Sequence, residues 1–162
     1  MPDSLVSPSK PDTENPLLLR NQLCHSLYSA TNAVIRAYKP LLEPLDLTYA
    51  QYLVMLALWE QDAVPIKQLV EATRLDPGTL TPILKRLEQK GLIARQRSRE
   101  DERQWLMTLT DAGREMRRQA EDIPVQLFCM TSLTLEQAQA MKQAAEQLYN
   151  DVLQQESSRT GR

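Results

Sequence analysis

Asp76-Pro77-Gly78-Thr79-Leu80-Thr81-Pro82-Ile83-Leu84-Lys85-Arg86-Leu87-Glu88-Gln89-Lys90-Gly91 reads as one amphipathic helix with its start and its stop spelled out. Asp76 is a preferred N-cap, and Pro77 suits the first helical position, where an N–H would have no partner anyway. Gly91 suits the left-handed residue that ends a helix. Leu80, Ile83, Leu84 and Leu87 fall on one side of this helix, and Thr79, Pro82, Lys85, Arg86 and Gln89 on the other. Short hydroxyls and long cations on one exposed face match the base edges and phosphates of a major groove, so this is a candidate recognition helix. The competing reading of the same face is ordinary solvation.

The flanking sequence supplies the rest of a DNA-binding unit. Upstream, Thr48 offers a cap for a helix over Tyr49–Glu60, with Tyr52, Leu53, Leu56 and Trp59 at helical spacing, and a short helix follows over Ile66–Ala72. Downstream, Leu92–Arg97 and Gln104–Leu109 read as two strands joined by the polar turn Ser98–Arg103. Helix, helix and hairpin in that order make a winged helix-turn-helix, with the hairpin tip as the wing. An arginine at such a tip enters a narrow minor groove and a neighbouring acid holds it, which singles out Asp101 and Arg103. Thr110 then caps a helix to about Gln119, and Thr134 with Gln137 forms a capping box for a last helix toward Leu153.

Charge resolves along the chain in the same sense. The net charge is −2, yet Lys85–Arg103 holds seven basic against four acidic residues, a local excess of +3 that leaves −5 for the remainder. A basic stripe on an acidic protein is the footprint a phosphate backbone needs, although a solvated charged face is the commoner origin of any single charge run. At 162 residues the chain is long enough for one domain with a real core. It has no apolar run of transmembrane length, and Met1-Pro2-Asp3-Ser4 lacks the basic and apolar regions of a secretory signal, so a cytoplasmic location is expected. Residues 1–15, rich in Pro, Ser and Asp, read as a disordered arm and 156–162 as a flexible tail, around a single domain over 16–155.

A second feature lies in the helix read over Leu17–Tyr38, which Pro40 is expected to stop. Cys24, Leu27, Tyr28, Thr31, Ile35 and Tyr38 fall on one side of it. A lone cysteine in such a stripe is more often a small hydrophobe than a reagent. The tyrosines argue otherwise, because a phenol facing an apolar interior needs a partner, and a thiolate accepting its hydrogen bond is stabilised over the thiol. Tyr28 is one turn from Cys24. Tyr38, fourteen residues on, is about 21 Å away along a straight helix and cannot touch the Cys24 of its own chain. Either the helix is broken or an antiparallel helix of a second subunit completes the site, and the second alternative is preferred. Two cysteines, Cys24 and Cys129, are too few for a structural zinc site and, in a reducing compartment, do not suggest a permanent disulfide. No metal and no cofactor is expected.

Asp101-Glu102-Arg103 followed by Leu109-Thr110-Asp111-Ala112-Gly113 resembles the wing signature of the MarR family of bacterial winged-helix repressors. Within it, Leu23-Cys24 with Tyr28, Tyr38-Lys39-Pro40-Leu41-Leu42, Thr48-Tyr49, Gly78-Thr79-Leu80-Thr81-Pro82 and Ile123-Pro124 resemble the organic-hydroperoxide resistance group, over about Leu18–Leu153. The resemblance implies a mainly α fold with a small β-hairpin wing. The winged helix-turn-helix would occupy about 46–110, and the dimerisation helices about 17–42 and 111–155.

The resemblance also implies a redox-sensing repressor, not an enzyme. It would bind operator double-stranded DNA as a homodimer when reduced and leave it when an organic hydroperoxide oxidises Cys24, and its target would be a hydroperoxide-resistance peroxidase gene. Cys24 falls on the sensing cysteine and Cys129 on the resolving thiol of two-cysteine members, and the implied disulfide joins them across subunits. Tyr28, Tyr38 and Tyr49 fall on the tyrosines that line or hydrogen-bond the thiol. The implied DNA contacts are Gly78, Thr79, Thr81, Pro82, Lys85 and Arg86 of the recognition helix, and Arg95, Arg97, Arg99, Asp101 and Arg103 of the hairpin. His25 departs from the pattern, and at about 100° around the helix from Cys24 it suits a surface role. The competing classes are a repressor released by a small aromatic ligand and a thiol peroxidase. The second lacks the strand–helix alternation of a thioredoxin-like fold.

Overall fold

A computed structural model describes residues 15–160, so the first fourteen residues of the expected arm, and 161–162 of the expected tail, lie outside the described residues. The elements are α1 (Leu23–Leu42), α2 (Tyr49–Glu60), β1 (Val64–Pro65), α3 (Ile66–Thr73), α4 (Pro77–Gln89), β2 (Ile93–Arg97), β3 (Trp105–Leu109), α5 (Asp111–Ala120), α6 (Ile123–Cys129) and α7 (Leu135–Thr160). Short 3-10 turns at Leu19–Asn21 and Glu43–Leu45 bracket α1. The chain divides into two compact units between Glu121 and Asp122. No helix among the described residues is long and apolar enough to cross a membrane.

In the first unit the helix starts are set by local chemistry. Thr48 and Gln51 form a reciprocal box on α2: the Thr48 hydroxyl accepts the Gln51 N–H at 3.3 Å and the Gln51 amide oxygen accepts the Thr48 N–H at 3.1 Å. Asp76 caps α4 through the Thr79 N–H at 3.0 Å, Pro77 takes the first position, and Gly91 turns the chain out at φ 68°. Leu80, Leu84 and Leu87 of α4 are fully buried, and with Val54, Met55 and Leu58 of α2, Leu69 of α3 and Met107 of β3 they belong to the core.

The structure departs from two expectations. Pro40 does not stop α1, which runs on to Leu42. An interior proline costs about 3 kcal/mol, while full burial of each large apolar side chain returns about 1.5–3 kcal/mol. Leu42 and Leu45 are 1% and 6% exposed, so carrying the helix past Pro40 to seat them is favoured. On α2 the buried side is Gln51, Tyr52, Val54, Met55 and Leu58, whereas Leu53 is half-buried and Leu56 is 39% exposed. That helix is apolar all round, so spacing alone cannot choose its inner face. The expected hairpin of β2 and β3 forms, and β1 extends it to a three-stranded antiparallel sheet of order β1-β3-β2, with Val64 opposite Met107 and Ile93 opposite Leu109. A two-residue strand is too short to show any periodicity.

Helix α5 packs on α2 and β3. Thr110 caps it through the Gly113 N–H at 3.1 Å, and the Trp59 indole N–H of α2 donates to the Gly113 carbonyl at 2.9 Å. Asp62 ties the strand ends to the same helix, accepting the Leu109 N–H at 2.8 Å on one oxygen and the Arg114 guanidinium at 2.9 Å on the other.

The second unit holds α6 and α7. Thr134 and Gln137 form the expected capping box, at 2.9 and 3.2 Å. Helix α7 continues to Thr160, so residues 156–160 are helical where a flexible tail is expected. Met141, Leu148 and Val152 lie at i, i+7 and i+11 on α7 and are all exposed, an apolar stripe that the described residues leave uncovered.

Candidate functional site

The residues of the candidate recognition helix, α4, stand where the periodicity puts them: Gly78, Thr79, Thr81, Pro82, Lys85, Arg86 and Gln89 are all exposed. Some are committed to the helix itself. The Thr79 hydroxyl and N–H both donate to Asp76, which holds that carboxyl below its ordinary pKa, and the Thr81 hydroxyl donates to the Pro77 carbonyl at 2.8 Å. Lys85 is directed away from the core. Arg86 borders an open cavity of about 580 Å³ with Ile35, Arg36, Lys39, Tyr49 and Lys90. This cavity has no sequence signal, because it exists only where the end of α1, the start of α2 and the end of α4 converge. At its edge the Lys90 ammonium pairs with the Asp46 carboxylate at 2.8 Å.

The five hairpin residues do not share one role. Arg95 pairs with Glu88 of α4 at 3.1 Å, which joins the base of the hairpin to α4. Arg97 lies 4.7 Å above the Trp105 ring and donates to the Glu102 carbonyl. Asp101 accepts the backbone N–H of Arg103 at 3.0 Å, not its guanidinium. Arg99 and Arg103 are exposed, and no ion pair holds either among the described residues.

The thiol stripe on α1 is also resolved into parts. Cys24 and Cys129 are free and exposed. Leu27, Tyr28 and Ile35 are 40%, 70% and 38% exposed, so the side of α1 read as inward-facing is surface in a single chain. No hydrogen bond joins Cys24 to Tyr28 among the described residues, and His25 shares a 3.5 Å contact with the Ser29 hydroxyl. Because α1 is unbroken from Leu23 to Leu42, Tyr38 remains about 21 Å along the axis from Cys24. Of the two alternatives, a broken helix is removed.

Tyr38 instead joins a phenol cluster. Its ring centroid is 4.9 Å from that of Tyr49 and 5.7 Å from that of Tyr52. Burial, then the neighbouring Tyr49 and Tyr52, pushes the Tyr38 hydroxyl up to about 12; burial raises Tyr49, and burial with Tyr49 raises Tyr52. These phenols stay protonated and remain O–H donors at any physiological pH. The sequence sets Tyr52 only in the helical spacing of α2, because nothing in that spacing shows that α2 lies against the end of α1. Groups whose folded pKa is raised contribute stability below the unfolded value of 10.0, and it is lost as pH rises through about 12. Urea midpoints should therefore hold level to about pH 10 and then fall, less steeply in Tyr38→Phe. An equally steep fall in that variant would remove Tyr38 as its source. Among the described residues no group of three or more His, Cys, Asp or Glu side chains could hold a metal ion.

Comparison with known proteins places these features in context. Residues 36–119 match the family described as transcriptional regulator SarA/Rot. The organic hydroperoxide resistance transcriptional regulator of Bacillus subtilis (strain 168) is 45% identical over 126 residues, covering 78% of this chain and 86% of that protein. The solved structure of reduced AbfR bound to DNA superposes with a TM-score of 0.70 at 33% identity, covering 84% of this chain and 93% of that one. AbfR, from Staphylococcus epidermidis, is also solved in a disulfide-formed state, with a TM-score of 0.58 at 35% identity and coverages of 81% and 92%. The reduced form of MarR from E. coli superposes with a TM-score of 0.66 at 25% identity, covering 78% and 96%.

Proposed function

The chain belongs to the MarR family of winged-helix transcriptional regulators, and from that membership we propose that it is a cytoplasmic, homodimeric redox-sensing repressor of an organic-hydroperoxide resistance gene. The observation that carries the reading is the separation of parts on α1. An exposed thiol sits near one end and a cluster of protonated phenols lies at the other, out of reach within one chain. An antiparallel α1 from a second copy brings Cys24 of one protomer to Tyr38 and Tyr49 of the next. Dimerisation would also cover the exposed Leu27 and Ile35 of α1 and the stripe of α7.

The chemistry balances without a cofactor. The Cys24 thiolate, accepting phenol hydrogen bonds, attacks the terminal peroxide oxygen. The O–O bond breaks, the alkoxide takes a proton and leaves as the alcohol, and the sulfur becomes a sulfenic acid. The Cys129 thiolate of the other subunit then attacks that sulfur, hydroxide leaves as water, and a disulfide forms. Closing two sulfurs to about 2.05 Å drags the elements that carry them. A dimer reading half-sites about 34 Å apart through two α4 helices tolerates little rotation of either. Thr79, Pro82, Lys85 and Arg86 would face the major groove, and Arg99 and Arg103 the backbone and minor groove. AbfR, solved reduced on DNA and in a disulfide-formed state, supports this sequence of states.

The test is binding of the reduced dimer to a duplex selected from a randomised library, before and after stoichiometric cumene hydroperoxide, with non-reducing gels alongside. Release with a cross-linked dimer, absent in Cys129→Ser, is expected. Retained binding with no cross-link would instead favour a repressor released by a small ligand.

A further inference from the structure

We propose that Arg97 and Trp105 form a positioning staple that aims Arg103 at the DNA, and that Arg97 itself is not a phosphate ligand. The inference rests on the reading of the hairpin as a DNA-binding wing. Arg97 and Trp105 are directly opposed residues of β2 and β3, the last rung of the ladder before the loop. The guanidinium carbon lies over the indole, 4.7 Å from the ring centroid, and the group donates through Nη1 to the Glu102 carbonyl. That carbonyl belongs to the peptide whose N–H is that of Arg103, and the Asp101 carboxylate accepts this N–H at 3.0 Å. One peptide plane is therefore gripped from both ends, by Arg97 on its oxygen and by Asp101 on its nitrogen. It is the plane from which the Arg103 side chain departs.

The rest of the loop is closed in the same way. Ser98, only 8% exposed, accepts the N–H groups of Glu100 at 3.2 Å and Asp101 at 3.3 Å. The Ser98 N–H donates to the Gln104 carbonyl at 2.9 Å, and the Gln104 N–H donates to the Asp101 carbonyl at 2.9 Å. Ser98, Glu100, Asp101, Arg103 and Gln104 thus all have their backbone N–H groups taken up inside the turn. Two cations leave this frame for solvent, Arg99 and Arg103. A cation already stacked on a ring and bonded to a carbonyl has less to offer a phosphate than one in free solution.

Salt dependence separates the two roles, because each phosphate contact steepens the slope of log K against log salt by about 0.9 and a positioning residue adds nothing to it. The experiment measures binding of the selected duplex by the reduced full-length dimer over a salt series, for Arg97→Gln, Trp105→Ala, the double variant and Trp105→Phe, with Arg103→Ala as reference. Arg103→Ala should flatten the slope by about one per protomer. Arg97→Gln and Trp105→Ala should each weaken binding about two- to fivefold per wing at the wild-type slope. The double variant should be no weaker than either alone, and Trp105→Phe should recover most of the loss. A flatter slope in Arg97→Gln, unchanged affinity in either single variant, or additive losses would overturn the proposal. If the wild type enriches no duplex, the DNA-binding reading fails first and takes the staple with it.

Discussion

Gly113→Ala is expected to destabilise the protein by about 2–4 kcal/mol, against the usual sign for such a change in a helix. Replacing glycine by alanine inside a helix ordinarily gains about 1 kcal/mol. Here the added Cβ would stand 2.1 Å from the Leu92 carbonyl oxygen and 3.1 Å from its carbon, both backbone atoms that cannot swing away. Relief requires α5 to move away from the Leu92 carbonyl, just before β2. That movement would strain the Thr110 N–H to Leu92 carbonyl bond at 3.1 Å, the Thr110 hydroxyl to Gly91 carbonyl bond at 2.6 Å and the Trp59 indole bond to Gly113 at 2.9 Å. For a chain of this size the loss corresponds to a Tm lower by roughly 4–16 °C. Thermal and urea unfolding of the variant check it, and a Tm at or above wild type would show that the close approach of α5 to Leu92 is not a constraint on the fold.

Cys24→Ser is expected to abolish the response to hydroperoxide completely while leaving reduced-state DNA binding at the wild-type level. The substitution is nearly isosteric and the site is exposed, so no core packing is lost. A serine hydroxyl is not oxidised by a peroxide, so neither the sulfenic acid nor the cross-link can form. Tyr38→Phe should keep DNA binding and slow Cys24 oxidation by about tenfold, the worth of one hydrogen bond to a charged acceptor. Mixing the two variants tests whether the site is shared. A heterodimer pairs Cys24 of the Tyr38→Phe protomer with Tyr38 of the Cys24→Ser protomer, which rebuilds one complete site. Oxidation at the wild-type rate in half of the sites of that heterodimer is expected. Uniformly slow oxidation would mean that Tyr38 does not act across subunits, and release of DNA by the Cys24→Ser homodimer on peroxide would end the proposed role of Cys24.

The parts of this protein that were legible beforehand are those whose causes lie within a few residues. Asp76 with Pro77, Thr48, Thr110 and the Thr134–Gln137 pair each start a helix where expected, because a cap is a contact between residues two or three apart. The strands of the hairpin follow for the same reason, each within a residue of its expected start. The separation of Cys24 from Tyr38 is likewise arithmetic on one helix.

Tertiary packing decided the rest. The burial of Leu42 and Leu45 carries α1 through Pro40, and a helix apolar on every side takes its inner face from its neighbours, not from its own spacing. Only the meeting of α1 with α2 turns Tyr52 into a third phenol beside Tyr38 and Tyr49. The equal-looking arginines of the hairpin acquire different surroundings, one on Glu88, one on an indole ring and a carbonyl, two in solvent. Residue type and spacing determine which elements form and which chemistry is available. Which groups are desolvated, stacked or left free depends on atoms brought together from distant parts of the chain, and that the order of residues does not contain.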